Sequence, residues 1–96
     1  MFSWDAQKAS QNLEKHGISF EEAATVFADF EGLDWEDTGH SGGERRLKRL
    51  GRAATGRVLL VVYTIRRLGH GKETIRIISA RQSSRKERKA YSRQPD

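Results

Sequence analysis

The sequence contains no cysteine, so neither a disulfide bond nor a thiolate metal site can stabilise the chain. Its longest apolar run, VLLVVYTI, is far shorter than the roughly 20 residues that a membrane-spanning helix needs. The segment MFSWDAQKAS lacks the basic start followed by an apolar run that marks a signal peptide. We therefore expect a soluble, cytoplasmic protein without membrane contact, and its 96 residues predict a single domain, 1–96.

Positive charge is confined to one part of the chain. Residues 1–40 contain two lysines against nine acidic residues, whereas residues 41–96 contain sixteen lysines and arginines against four acidic residues. All twelve arginines lie at or after Arg45. Because the planar guanidinium group binds phosphate through two hydrogen bonds, this bias favours a nucleic-acid partner. The alternative is a solvated sheet surface with a basic tail.

Two helices are predicted near the start of the chain. The first runs from the N-cap residue Asp5 to about His16, with Gly17 in the left-handed conformation that ends a helix. The second begins with a capping box formed by Ser19 and Glu22. Both helices are predicted to cover the core, and their acidic outer faces would repel RNA.

Three or four β-strands are predicted after residue 30. A short strand around Leu33 to Glu36 precedes strands in ERRLKRLGR, RVLLVVYTIRR and ETIRIISAR. Ser84 and Glu87 predict a capping box that opens a short basic helix, which Tyr91 would anchor on the sheet or on a partner. The predicted fold class is α+β: two N-terminal helices packed on a three- to four-stranded antiparallel sheet, followed by a short C-terminal helix.

The last predicted strand carries arginine within an apolar sequence. Side chains of a strand alternate between its two faces. Strict alternation places Arg76 on one face with Ile78 and Ala80, and Arg81 on the opposite face with Ile77. A charge in such a strand requires either an acidic partner or a solvent-filled surface.

Arginines on neighbouring strands provide the clearest chemical signal, since the histidines have no partner at metal-ligand spacing. The four that could converge on one face are Arg46, Arg66, Arg76 and Arg81. Clustered guanidinium groups suit a phosphate and the negative charge that develops when an RNA 2′-hydroxyl attacks its own phosphodiester. That reaction needs no metal ion or other cofactor. The candidate proton-transfer residues are His40, Glu44 and Tyr91.

Three of these residues also have a plainer interpretation. Arg76 can pair with Glu44 or Glu73 and serve the fold alone. Tyr91 is a typical packing anchor, because its side chain combines apolar area with a polar tip. His40 lies in a Gly-rich segment and can be an ordinary surface residue.

Four stretches of the sequence share the pattern of one family: WDAQKASQNLEKHGISFEEAATVFAD, LDWEDTGHSGGERRLKRLG, GRVLLVVYTIR and IRIISARQSSRKERKAY. In this order they resemble BrnT-type toxins of bacterial type II toxin–antitoxin systems, over almost the whole chain. The resemblance implies a fold akin to the RelE and ParE toxins, and ribonuclease activity that stops translation and growth. Gln82 and Phe30 depart from the pattern, which usually has lysine and proline at these positions.

The resemblance also implies partners and site residues. A BrnA-type antitoxin with a ribbon-helix-helix DNA-binding part would form a hetero-oligomer with the toxin and alone contact operator DNA. The family's polar positions correspond here to Glu44, Arg46, Arg66, Arg76, Arg81, Glu87, Arg88 and Tyr91. The residues expected to bind RNA outside the catalytic centre are Arg45, Arg85, Arg88 and Lys89.

The first hypothesis is therefore a metal-independent endoribonuclease toxin. The second is a nucleic-acid-binding or partner-binding module with no chemistry of its own, which the charge asymmetry alone would satisfy. The third is a relative that inhibits gyrase, as in the ParE branch.

Overall fold

A five-stranded mixed sheet forms the centre of the fold, in a computed structural model that describes residues 1–38 and 44–93. Its strands are β1 Phe2–Ser3, β2 Leu33–Glu36, β3 Leu47–Arg52, β4 Val58–Arg67 and β5 Glu73–Gln82. Their order across the sheet is β1-β5-β4-β3-β2. Strands β2 to β5 form an antiparallel meander, whereas β1 pairs parallel to β5.

Three α-helices accompany the sheet: α1 Ala6–His16, α2 Phe20–Ala24 and α3 Arg85–Ser92. A 3₁₀ turn, Thr25–Ala28, continues α2, and a second one, Gly69–Gly71, lies between β4 and β5. Asp5 caps α1 as predicted, Gly17 follows it with a φ of 70°, and Ser84 and Glu87 form the predicted capping box of α3. No helix in the described part of the chain has the length and apolar character that crossing a bilayer requires.

The α+β class is confirmed, but the prediction of a purely antiparallel sheet of three to four strands is wrong. The missed element is β1, in which Phe2 pairs with Ile75 and Ser3 with Arg76. Two residues cannot display a strand pattern in a sequence, and β1 exists only because β5 offers an edge to pair with. The capping box predicted for α2 is half formed: Ser19 accepts from the backbone of Glu22, whose carboxylate binds other partners.

The sheet is covered on both faces, as its central strand predicted. Helix α2 and the following turn bury one face in a cluster that includes Phe20, Val26, Leu59 and Val61. Helix α3 covers part of the other face, where the buried residues are Leu50, Val58, Leu60 and Tyr91. Successive residues of β4 therefore contact different cores, which explains its continuous apolar sequence.

A β-bulge in β5 changes which of its residues share a face. Tyr63 pairs with Ile77 and Val61 with Ala80, so that Ile78 is an extra residue in β5. Ile77 and Ala80 consequently both contact the core beneath α2, although they are three residues apart. Strict alternation predicted opposite faces for these two residues, and that prediction is wrong.

The same bulge determines where the arginines of β5 lie. Arg76 pairs with Thr64, and Arg81 pairs with Leu60. Since Thr64 and Leu60 lie on one face of β4, the two arginines share that face as well. Without the extra residue they would lie on opposite faces, as the sequence alone predicted.

Asn12 joins α1 to the edge of β5. Its Nδ2 donates to the carbonyl oxygens of Ile18 at 3.0 Å and Ala80 at 2.8 Å, and its Oδ1 accepts the N–H of Ala80 at 3.1 Å. The side chain is buried, with the residue only 7% exposed. Strand β1 pairs with β5 only at Ile75 and Arg76. At Ala80, the Asn12 side chain supplies the hydrogen bonds that a neighbouring strand would otherwise form.

Replacing Asn12 by alanine is expected to lower the free energy of unfolding by about 2 to 4 kcal/mol, because the buried N–H and C=O of Ala80 lose their partners. Gln11→Ala is the matched control, since Gln11 is an exposed amide residue in the same helix. Chemical denaturation of both variants measures the difference. Equal losses in the two variants would show that the Asn12 bridge contributes nothing.

Candidate functional site

A polar cleft of about 180 Å³ opens where α1 begins and the ends of three strands meet. Arg46 precedes β3, Arg66 lies near the end of β4, and Arg76 lies in the first half of β5. The complete lining is Asp5, Lys8, Glu44, Arg46, Arg66, Arg76, Ile77 and Ile78. Three of the four arginines predicted to converge are therefore found in one cleft, together with the predicted Glu44.

Strand pairing places the three guanidinium groups together. Thr64 pairs with Arg76, and Arg66 follows Thr64 by two residues, so both arginines lie on one face of the sheet. Thr64 also donates its hydroxyl proton to the carbonyl of Arg45 at 2.9 Å, which fixes the segment that carries Arg46 against β4. Three separate stretches of sequence thus meet through ordinary antiparallel pairing.

Two of the three cleft arginines form no ion pair in the part of the chain that the structure describes. Glu44 forms an ion pair with Arg66 at 3.5 Å. Within residues 1–38 and 44–93, the side chains of Arg46 and Arg76 make no hydrogen bond or ion pair. Their charges are available to a ligand, and an anion in the cleft would contact guanidinium groups that the fold has not neutralised.

The plainer interpretation of Arg76 required pairing with Glu44 or Glu73. Glu44 pairs with Arg66, and Glu73 pairs with Arg67 at 3.6 Å. Arg76 instead acts on Asp5 through its charge. The pKa of Asp5 is lowered chiefly by the backbone N–H of Lys8 and to a lesser extent by the positive charge of Arg76. Asp5 itself accepts two backbone N–H groups at the start of α1, so its carboxylate is already used as a cap.

Arg81 lies outside the cleft and binds Glu87 on α3. Its Nη1 and Nη2 donate to the two carboxylate oxygens at 2.8 and 2.9 Å. One of those oxygens also accepts the backbone N–H of Ser84 at 2.8 Å. Hydrogen bonding to Arg81 is the main cause that lowers the pKa of Glu87 to about 2. The pair fastens α3 to the end of β5.

Tyr91 also lies outside the cleft, in the apolar cluster beneath α3. Its hydroxyl donates to Oδ2 of Asp29 at 2.6 Å, and the guanidinium of Arg52 lies 5.5 Å from the ring centroid. Burial, followed by the negative charge and hydrogen bond of Asp29, raises the pKa of Tyr91. These contacts match the packing-anchor interpretation. His40, the third proton-transfer candidate, lies outside the described residues.

The residues predicted to bind RNA beyond the catalytic centre lie in two exposed regions of the surface. Arg85, Arg88 and Lys89 are exposed on α3. Arg45 is exposed beside the cleft and forms an ion pair with Glu36 at 3.4 Å. None of the four lines the cleft.

Sequence reasoning missed the contribution of α1 to this site. Lys8 and Asp5 line the cleft, although both helices were predicted only to cover the core. The sequence around Lys8 does not indicate which surface its side chain contacts. That depends on where α1 is placed by the pairing of β1 with β5. Among the described residues, no group of three His, Cys, Asp or Glu side chains is placed to hold a metal ion.

The chain is similar to one family of known proteins. A sequence model described as "Ribonuclease toxin, BrnT, of type II toxin-antitoxin system" matches residues 4–87, a range that includes every residue of the cleft. No curated protein matches the chain. Among solved structures, the crystal structure of the Brucella abortus ribonuclease toxin BrnT matches with a TM-score of 0.61 and 19% identity, over 88% of this chain and 99% of that one. This likeness shows a shared fold.

The Arg81–Glu87 pair is expected to make stability depend on pH. Because the folded pKa of Glu87 is about 2, below its ordinary 4.5, its contribution is complete above pH 4.5 and disappears as the pH falls towards 2. Glu87→Gln should therefore lower the free energy of unfolding by about 1 to 2 kcal/mol above pH 4.5, after allowance for solvent screening, and by much less near pH 2.

Denaturant titrations of both proteins across this pH range measure the change. Glu14→Gln is the control, because Glu14 is exposed on α1 and has no arginine partner in the described residues. A gap between the original protein and Glu87→Gln that keeps its size down to the lowest pH would contradict the assignment.

Proposed function

The chain belongs to the BrnT family of ribonuclease toxins of type II toxin–antitoxin systems, and on that premise we propose that it is a metal-independent endoribonuclease. The family resemblance seen in the sequence is thereby confirmed. Cleavage of RNA would inhibit translation and arrest growth. We assign the activity to one cytoplasmic toxin domain, 1–96, with an arrangement akin to the RelE toxins.

One observation carries the proposal: Arg46, Arg66 and Arg76 meet in a single cleft with Glu44. Attack of a 2′-hydroxyl on the adjacent phosphorus forms an O–P bond and breaks the bond to the 5′-oxygen of the next nucleotide. Negative charge grows on the phosphoryl oxygens during this step. Guanidinium groups fixed around the phosphate stabilise that charge without reorganising, which lowers the barrier. The products are a 2′,3′-cyclic phosphate and a free 5′-hydroxyl.

Glu44 is the proposed acceptor of the 2′-hydroxyl proton. Of the two acids in the cleft, Asp5 is used as the cap of α1, whereas Glu44 is bound only by Arg66 at 3.5 Å among the described residues. A carboxylate beside a guanidinium can take a proton while the arginine holds the phosphate. His40, four residues before Glu44 in the sequence, remains the candidate proton donor to the leaving oxygen.

Arg81 and Tyr91 have supporting roles in this proposal. Arg81 positions α3 through Glu87, and Tyr91 anchors the same helix on Asp29. The exposed basic residues of α3, together with Arg45, would attract RNA by charge from outside the cleft.

Replacing Arg76 by alanine is expected to lower the cleavage rate about 100-fold or more, because one fixed charge is lost from the transition state. Arg67→Ala is the matched control: Arg67 follows Arg66 in β4, is exposed, and does not line the cleft. Purified proteins are incubated with RNA in excess EDTA, and the fragments are analysed for 2′,3′-cyclic phosphate ends.

The same assay separates the proposal from its alternative. A binding module without chemistry would retain RNA but release no fragments. Activity lost on addition of EDTA would contradict the metal-independent mechanism. Equal activities of Arg76→Ala and Arg67→Ala would remove Arg76 from the catalytic centre, provided that thermal denaturation shows both variants to be folded.

The family also implies an antitoxin partner, which we propose is a BrnA-type protein with a ribbon-helix-helix DNA-binding part. Residues 41–96 carry sixteen Lys and Arg against four acids, so an acidic partner segment could cover the cleft and neutralise it. The complex would contact operator DNA through the antitoxin alone.

Co-expression with the neighbouring open reading frame is expected to restore growth that the toxin alone arrests, and to yield a complex that co-purifies. Arg76→Ala, expressed alone, should allow growth because it lacks cleavage activity. A neighbouring product that neither binds nor restores growth would contradict the proposed partner. DNA-damage signalling in place of an early halt in protein synthesis would favour the gyrase alternative.

A further inference from the structure

A second depression continues the cleft along α1. It has a volume of about 310 Å³ and shares Lys8, Arg46 and Ile78 with the cleft. Beyond these residues it is lined by Gln11, Asn12, Lys15, His16 and Ser79. The two depressions therefore form one open groove between α1 and β5, and we call the part beyond the cleft the α1 groove.

The lining side chains of α1 follow helical spacing. Lys8, Gln11 and Lys15 are three and seven residues apart, so they project from one face of the helix. Seven residues correspond to about 10 Å along the helix axis, so the two lysines are spaced along the groove. They form a line of positive charge that leads away from the arginines.

The helix is held in this position by the Asn12 bridge. Asn12 lies between Gln11 and Lys15 on the same turn, and its side chain is bonded to Ala80 of β5. Ser79, the neighbour of Ala80, lines the opposite wall of the α1 groove. The groove therefore has two rigid walls, and its width is fixed by hydrogen bonds that the substrate does not have to supply.

The charge of the whole groove is strongly positive. Five Lys and Arg side chains line the two depressions, against the acids Asp5 and Glu44. Asp5 is used as a helix cap, and Glu44 is paired with Arg66. Lys8 and Lys15 form no ion pair among the described residues, although the charge of Lys8 acts on the Asp5 carboxylate, so they add to the positive charge of Arg46 and Arg76.

We propose that the α1 groove binds the stretch of single-stranded RNA that flanks the scissile phosphate. Lys8, at the junction, would contact the adjacent phosphate, and Lys15 would contact one further along the strand. This inference rests on the proposed function, since it extends the same site. It differs from the expectation that α1 repels RNA, because Lys8 and Lys15 line the groove.

A single strand fits this surface better than a duplex. In-line attack by a 2′-hydroxyl requires a nucleotide that can rotate about its backbone, which base pairing in an A-form helix prevents. Gln11 and Ser79 add uncharged hydrogen-bonding groups between the two lysines, within reach of a sugar or an unpaired base. Charge alone would attract a duplex too, but these uncharged groups favour a strand whose sugars and bases are accessible.

The test compares Lys15→Gln with Lys72→Gln, which removes the same charge from an exposed position in the β4–β5 connection. The probes are a trinucleotide and a decanucleotide of mixed sequence, both 2′-O-methylated so that they cannot be cleaved. Lys15→Gln is expected to weaken decanucleotide binding roughly threefold to tenfold and to reduce the slope of log K against log salt by about 0.7. Trinucleotide binding should not change, and Lys72→Gln should affect neither probe. Lys15→Arg should restore binding of the decanucleotide.

Two outcomes would overturn the inference, and they are distinguishable. In the first outcome, Lys15→Gln binds the decanucleotide as tightly as Lys72→Gln and the original protein do. The α1 groove is then not part of the RNA-binding surface, and the proposed role of the cleft is unaffected. If the original protein binds neither probe and cleaves no RNA, the proposed function fails and the inference fails with it. Thermal denaturation of each variant shows that any loss of binding occurs in a folded protein.

Discussion

The hydrogen-bonded contact between Asn12 and the edge of β5 is the constraint on which the candidate site depends. Strand β1 ends after two residues, and beyond it the buried N–H and C=O of Ala80 would lack partners without Asn12. The Asn12 amide supplies one acceptor and one donor at that point. An amide carries its donor and its acceptor on separate atoms, as the backbone of a strand does, so Asn12 can bind both groups of Ala80 without another strand. The same contact fixes Lys8 and Lys15 beside the arginines.

The β-bulge at Ile78 acts on the other wall of the same cleft. Because of the bulge, Ile77 and Ala80 both lie on the face that packs against α2. Arg76 and Arg81 both lie on the opposite face. A regular strand would have buried one of these arginines or exposed one of the apolar residues. Bulges are common beside active sites for this reason, since they redirect side chains without changing the topology.

The sequence was sufficient for those elements whose signals are local. The caps at Asp5 and Ser84 and the two-sided core strand were predicted because each depends on neighbouring residues. Arg76 could be selected as a candidate site residue because a charge in an apolar strand is unusual. The bulge, β1 and the role of Asn12 could not be predicted, since each arises from pairing between distant segments. The side of α1 that lines the cleft could not be predicted for the same reason.

Ion pairing separates the arginines that hold the fold together from those available to a ligand. Arg49, Arg57 and Arg81 each hydrogen-bond a carboxylate, and each joins two elements in doing so. Within the described residues, Arg46 and Arg76 do neither. Guanidinium groups that share a cleft repel one another, so the fold is less stable with them than without them. A bound phosphate removes that repulsion. Because the two kinds of arginine differ only in the partners that the fold brings to them, composition indicates a polyanion but cannot identify the residues that bind it.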